Sequence, residues 1–331
     1  MAALLLGVVL MGSAQADVGP WIRPGGDSDL PRWGLRDGVV VSLWPAGVSG
    51  DTPGGPRGLL RIGYPVGPGG QHQLVNFIAV EPNVGDGQWR GQSELETSDT
   101  DGQPGRVFSA ETLAGTLGRP PDAPEAERLQ VVIRMERFRN GAHPYLVLTL
   151  RSDQPDEIML QTFHEPDSRP MTMCVLTATM GNYARLRQVH LAGGEVLSSL
   201  VVWPDHTGHD FTPFTDLPLS RLVRTGDGGV IVPMSNNEAD PAANWPHDPG
   251  NWWRWPWAKL TQYWRKTPGS FGQDLRFAAN GRAEYYGWEP LVIPGGVAFE
   301  NTELREAYAP GQAVIFGLTR ETPAAVLKRW Q

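Results

Sequence analysis

Residues 129–178 read LQVVIRMERFRNGAHPYLVLTLRSDQPDEIMLQTFHEPDSRPMTMCVLTA. Four short runs rich in β-branched and aromatic residues stand out: Leu129–Arg137, Tyr145–Arg151, Ile158–His164 and Met173–Ala178. Polar, glycine- or proline-bearing segments separate them. Such runs between turn signals are the pattern of antiparallel sheets, not of helices.

The same texture extends in both directions. Upstream, Val39–Trp44, Leu59–Tyr64 and Gln73–Glu81 read as strands. Downstream, so do Arg187–Leu191, Val196–Trp203, Val230–Pro233, Leu275–Ala279, Ala283–Trp288, Gly296–Glu300 and Ala313–Thr319. Asn280-Gly281, between two of these, is a strong hairpin signal. Glycine (40) and proline (30) are abundant throughout. Two stretches suggest helix: Pro323–Trp330, with Thr322 as N-cap and proline at the first helical position, and Trp257–Lys266 after Pro256. The expected fold is all-β, a large antiparallel β-sandwich of two big sheets with few short helices. A β-propeller is the alternative, and its blade-wise self-similarity is not visible.

Residues 1–16, MAALLLGVVLMGSAQA, read as a secretory signal peptide. An apolar run leads to Ala14-Gln15-Ala16, which satisfies a small-residue cleavage rule, although a basic leading segment is missing. The run is shorter than the about 20 apolar residues a membrane helix needs. Residues 17–331 are then expected to form a single β-sandwich domain in the periplasm or outside the cell, with no membrane span.

The net charge is −8, and arginine dominates the basic residues. This excludes the basic footprint of a non-specific nucleic-acid binder. A local arginine cluster can still oppose the global sign and attract an acidic glycan. The single cysteine, Cys174, lies in an apolar run and reads as a buried thiol. Neither a phosphate-cradling glycine loop before a helix nor a G-x-S-x-G elbow is present, which argues against nucleotide and α/β-hydrolase chemistry.

Four clusters carry chemistry. The stretch Trp245–Trp264 holds six of the thirteen tryptophans. Trp252, Trp253, Trp255 and Trp257 suit stacking against the C–H faces of sugar rings, and Asn236 and Asn237 just upstream suit bonding to hydroxyls. Tyr263 and Lys266 are minor candidates. The competing reading is a lid packed over a sheet end.

Trp203–Asp210 places His206 and His209 in a loop with Asp205 and Asp210. A histidine there suits general-base work near neutral pH. A divalent cation at His206, His209 and Asp210 is the one cofactor this spacing admits, and a polar turn capping a strand is the structural alternative. Met180–His190 would, as a strand, put Tyr183, Arg185 and Arg187 on one face. Two guanidiniums and a phenol suit a carboxylate-bearing sugar. Finally, Glu94 and Glu96 would share a strand face, with Glu81 as an independent carboxylate. Carboxylate pairs serve glycoside hydrolysis, although surface charge is the commoner role of Glu.

Together these features lead to the expectation of a secreted carbohydrate-active protein with a polysaccharide or oligosaccharide as its partner. The reading with most support is a lyase cleaving a uronate-containing glycan by β-elimination. In it Arg185 or Arg187 neutralises the uronate, His206 or His209 takes the proton and Tyr183 protonates the leaving oxygen. A glycoside hydrolase using paired carboxylates and a non-catalytic glycan-binding protein are the alternatives.

Overall fold

The computed structural model describes residues 19–25, 29–49, 56–85, 89–236, 260–286 and 291–331. Among these residues the strands form two large antiparallel sheets, one of ten strands and one of eleven. The architecture is the expected β-sandwich, and neither a propeller nor a closed barrel is formed among the described residues. Residues 1–16 lie outside the described residues. No helix among the described residues is long and apolar enough to cross a membrane.

The ten-stranded sheet has Gln73–Val84 near its centre, between Leu59–Tyr64 and Met171–Ala178. Beyond Met171–Ala178 come Ala298–Arg305, Arg276–Arg282 and, at the edge, Thr215–Pro218. The eleven-stranded sheet is centred on Thr261–Lys266, Gln312–Thr319 and Gln154–His164, with Pro144–Arg151 and Arg128–Met135 following.

The two-residue period of these strands sorts their side chains into layers. Ile78, Val80, Leu176 and Phe299 of one sheet join Leu148, Leu160, Trp264 and Phe316 of the other in one continuous apolar cluster between the sheets. Each such side chain contributes about 1.5–3 kcal/mol on burial. Cys174 belongs to this core, and burial pushes its thiol up to about 12.

The alternate residues of the ten-stranded sheet, Leu59, Phe77, Ala79 and Ala298, are buried too. They pack with Met180, Tyr183, Tyr285 and Ile293 in a second cluster on the outer face of that sheet. A sheet buried on both faces explains why its strands read as continuous apolar runs. The covering is made by connecting segments, and the candidate site lies where they meet the sheet.

The sequence reading is corrected at several places. Thr261–Lys266 is a strand, not the end of a helix. It is hydrogen-bonded to strands on both sides, and its alternation of core-facing Trp264 with Tyr263 and Arg265 requires extended backbone. Asn280-Gly281 is no hairpin turn. It lies inside strand Arg276–Arg282, where two residues of the partner strand, Glu300 and Asn301, oppose Asn280. Glycine is needed there for close approach, because a Cβ at Gly281 would meet the carbonyl oxygen of Ala298 at 2.7 Å and the Trp203 ring at 3.1 Å. Only Val196–Ser198 of the expected strand Val196–Trp203 is extended; Ser199–Val202 forms one helical turn. Ala283–Trp288 makes an isolated bridge, Glu284 to Val292, as far as it is described. The helix Pro323–Trp330 forms as read, with Thr322 Oγ1 accepting from the Ala325 amide.

Candidate functional site

The bulge at Glu300–Asn301 shapes the outer face of the ten-stranded sheet. Phe299 and Leu304 point into the core, while Glu300 and Glu303, three residues apart, both face outward. Regular alternation would put them on opposite faces, so the extra residue re-aims one carboxyl.

Glu300 is buried, and Arg282 is the charged group that acts on it. Burial outweighs Arg282 and pushes the Glu300 carboxyl up to about 8, so it holds its proton at neutral pH. Arg282 is itself 7% exposed. Its guanidinium carbon lies 5.0 Å from the Phe211 ring and 5.5 Å from the Tyr286 ring. Both rings are largely exposed.

Tyr183 also belongs here. Its ring stacks on Tyr285 at 5.4 Å, and its hydroxyl donates to the Tyr286 carbonyl. Burial, with Glu300 near by, raises its pKa above the usual phenol range. It positions the 285–286 segment and keeps its proton.

The loop after Trp203 docks on this region through Thr212. Its amide donates to the Gly281 carbonyl, and its hydroxyl accepts from the Gly281 amide. The docking carries His209 to Glu284, and the imidazole Nδ1 pairs with the Glu284 carboxylate. His209 is 66% exposed on its side chain and Glu284 13%. A largely buried carboxylate thus sits against an accessible histidine. His206 differs: its Nε2 bonds the Asp210 carbonyl oxygen at 3.0 Å. A ring nitrogen donating to a carbonyl has no lone pair to offer a metal. Among the described residues no three His, Cys, Asp or Glu side chains gather to hold a metal ion.

A second charged group lies further along the same face. Arg90 Nη2 pairs with Glu81 and lies 2.7 Å from Glu303, whose other neighbours are Thr177 and Arg305. Burial raises the Glu81 pKa; Arg90 opposes the rise, and Glu303 and Glu94 add to it. Glu94 is half-buried beside the group and is also raised, again by burial first. The Phe214 ring covers the group, 4.3 Å from the Arg305 guanidinium and 6.0 Å from that of Arg90.

Several expected placements do not hold. Tyr183, Arg185 and Arg187 do not alternate along a strand, because residues 181–185 form a turn in which Arg185 has φ +48°. The Gly181 amide bonds the Glu300 carbonyl, and Leu186 closes back on Gly181. Both arginines are buried rather than on an exposed face. Arg187 donates to the carbonyls of Pro294 and Gly296, which makes it a strap for that loop. Glu94 and Glu96 lie in a turn, not on a strand face. Glu96 is committed to Arg106, at 2.8 Å, and to the Arg139 amide. Tyr263 and Lys266 are buried and bonded to Glu157 and Glu306. Asn236 is half-buried just past strand Val230–Ser235. Trp252, Trp253, Trp255, Trp257 and Asn237 lie outside the described residues.

Arg282, Glu284, Tyr286 and Glu300 were not singled out in the sequence. The first three alternate in Arg282–Tyr286, a period-two signal on a segment read as structural. Nothing in the sequence announces the bulge that turns Glu300 outward.

Comparison with protein families, curated proteins and solved structures finds no match in any of the three.

Proposed function

We propose that the protein is a secreted carbohydrate-active enzyme that binds a uronate-containing glycan on the outer face of its ten-stranded sheet and cleaves it by β-elimination. The observation that carries this reading is the His209–Glu284 pair on the loop that also lays Phe211 over Arg282. β-Elimination needs a base for the proton beside the uronate carboxylate, a group that stabilises the charge developing there, and an acid for the leaving oxygen.

In this reading His209 Nε2 takes the proton, and Glu284 stabilises the imidazolium that forms. Arg282, with the protonated Glu300 behind it, offsets the negative charge on the uronate. The exposed hydroxyl of Tyr286 gives its proton to the glycosidic oxygen as the bond to that oxygen breaks. His209 later returns a proton to the phenolate through solvent. Phe211 and Tyr286 offer aromatic surface to the sugar ring. The roles first given to Arg185, Arg187 and Tyr183 pass to Arg282 and Tyr286, because all three of the former are buried, and Arg187 and Tyr183 are bonded to backbone carbonyls.

A second reading, hydrolysis, has its own support. Glu81 and Glu94 are adjacent carboxyls raised together beside one arginine, and glycoside hydrolysis uses one protonated and one ionised carboxyl.

Purified protein is incubated with a panel of acidic and neutral polysaccharides, following ultraviolet absorbance of unsaturated uronate together with reducing ends. Rising absorbance supports the lyase. Reducing ends without absorbance transfer the reaction to Glu81 and Glu94. Silence in both across the panel overturns catalysis and leaves glycan binding.

A further inference from the structure

The opposite side of the sandwich carries a cleft of its own. Outside the eleven-stranded sheet, strands Pro144–Arg151, Gln154–His164 and Thr261–Lys266 and the helix Pro323–Trp330 border a cavity of about 240 Å³. Its wall is built rather than incidental. Arg265 is held by both oxygens of Glu157, at 3.0 and 2.5 Å, and both side chains are almost fully buried. Tyr263 supports Glu157 from behind with a 3.0 Å hydrogen bond. The fixed guanidinium lies 3.9 Å from the centre of the Trp330 ring.

This arrangement spends Arg265 Nε and Nη2 on Glu157 and leaves Nη1 for another acceptor. The indole Nε1 of Trp330 is a buried donor without a partner among the described residues. Asp122, Gln154 and Asp227 line the same cleft and supply acceptors and an amide.

Charge decides the class of ligand. The lining carries Arg151 and Arg265 against Asp122, Glu157 and Asp227, a slight negative excess. An anion meets repulsion there, and both arginines are already paired with carboxylates. An uncharged ligand with many hydroxyls satisfies donors and acceptors at once, and its apolar C–H groups suit the Met159, Ile315 and Trp330 side chains of the wall. We propose that this cleft is a second glycan-binding site, taking one neutral sugar ring. It stands on the cleft alone and does not depend on the lyase reading.

The test is isothermal titration calorimetry of the full chain with the methyl glycosides of glucose, galactose and mannose, and with galacturonate as the anionic comparator. The expected result is saturable binding of at least one neutral glycoside, weakened about tenfold or more by Trp330→Ala and by Gln154→Ala. Phe214→Ala, on the other face, leaves that binding unchanged. Trp330 packs on the sheet, so the half-buried Gln154 supplies the variant that spares the fold. Absence of binding by all three neutral glycosides overturns the proposal. So does binding that survives both variants, or galacturonate bound as tightly at the same site. A protein that binds neutral sugar here and cleaves no uronate glycan keeps this site and loses the lyase.

Discussion

Trp264 donates its indole N–H to Thr302, with both the carbonyl and the hydroxyl oxygen at 3.2 Å, and so ties the eleven-stranded sheet to the ten-stranded one. The ring is fully buried and lies 4.8 Å from Phe316. Of the tryptophans in the rich stretch, this one is core and not a sugar platform. Trp264→Ala is expected to cost about 3–5 kcal/mol, the range for large aromatic-to-alanine changes in cores. Urea unfolding followed by far-ultraviolet circular dichroism measures it. A cost below 1 kcal/mol would contradict the packing described.

Arg90 is the cation shared between Glu81 and Glu303, and all three are largely out of water. Arg90→Met leaves two buried carboxyls to compete for neutrality, and removing one partner of a buried ion pair costs about 3–5 kcal/mol. The direction with pH follows from the sign of the shift. Glu81 is already raised in the folded state, and loss of Arg90 raises it further. Stability from such a group is complete below its unfolded pKa and is lost as pH rises through the folded one. The melting temperature of Arg90→Met therefore falls further below the parent at pH 8 than at pH 5. An equal deficit at both pH values would show that Glu81 does not take up the proton.

Much of the fold was legible because burial imposes a period. Leu59–Tyr64 is extended over the span read from its apolar run, and Thr322-Pro323 marks a helix start by a purely local rule. The errors arose where tertiary contacts override local preference. Asn280-Gly281 has the chemistry of a turn but serves a bulge and the docking of Thr212. Lys266 was a minor candidate for contact with a sugar, yet it is buried against Glu306. The candidate site was legible only in part. His209 was named in the sequence, but Glu284 is 75 positions away, and no spacing rule links residues brought together by a docked loop. Arg187 was named for its charge, although its neighbours in space are the carbonyls of a distant loop.

Glu300 provides the pH signature of the front face. Its pKa of about 8 against an ordinary 4.5 means that the folded protein holds this proton more tightly than the unfolded chain does. Its contribution to stability is present below about pH 4.5 and lost as pH rises through 8. Glu300→Gln keeps the shape and removes the titration, so its stability stays flatter than the parent's between pH 5 and 9. If uncharged Glu300 supports the uronate site, activity of the parent also declines above pH 8 while the glutamine variant retains it. Parallel pH profiles of parent and variant, in melts and in rates, would remove Glu300 from both roles.

The two loop histidines separate by the partner each keeps. His209 faces solvent with a carboxylate behind it, an arrangement that orients a base. His206 is turned to the Asp210 carbonyl and shapes the loop. General-base catalysis contributes typically 10²–10⁴-fold, so His209→Ala is expected to lower kcat on an acidic polysaccharide by about 100-fold or more with KM little changed. Glu284→Gln keeps a hydrogen bond but not the charge and falls between that variant and the parent. His206→Ala loosens the loop and lowers kcat by less than about tenfold. Melting temperatures within a few degrees of the parent exclude unfolding as the cause in each case. The reverse ranking, with His206 essential and His209 dispensable, would move the base to the other imidazole and dissolve the link to Arg282.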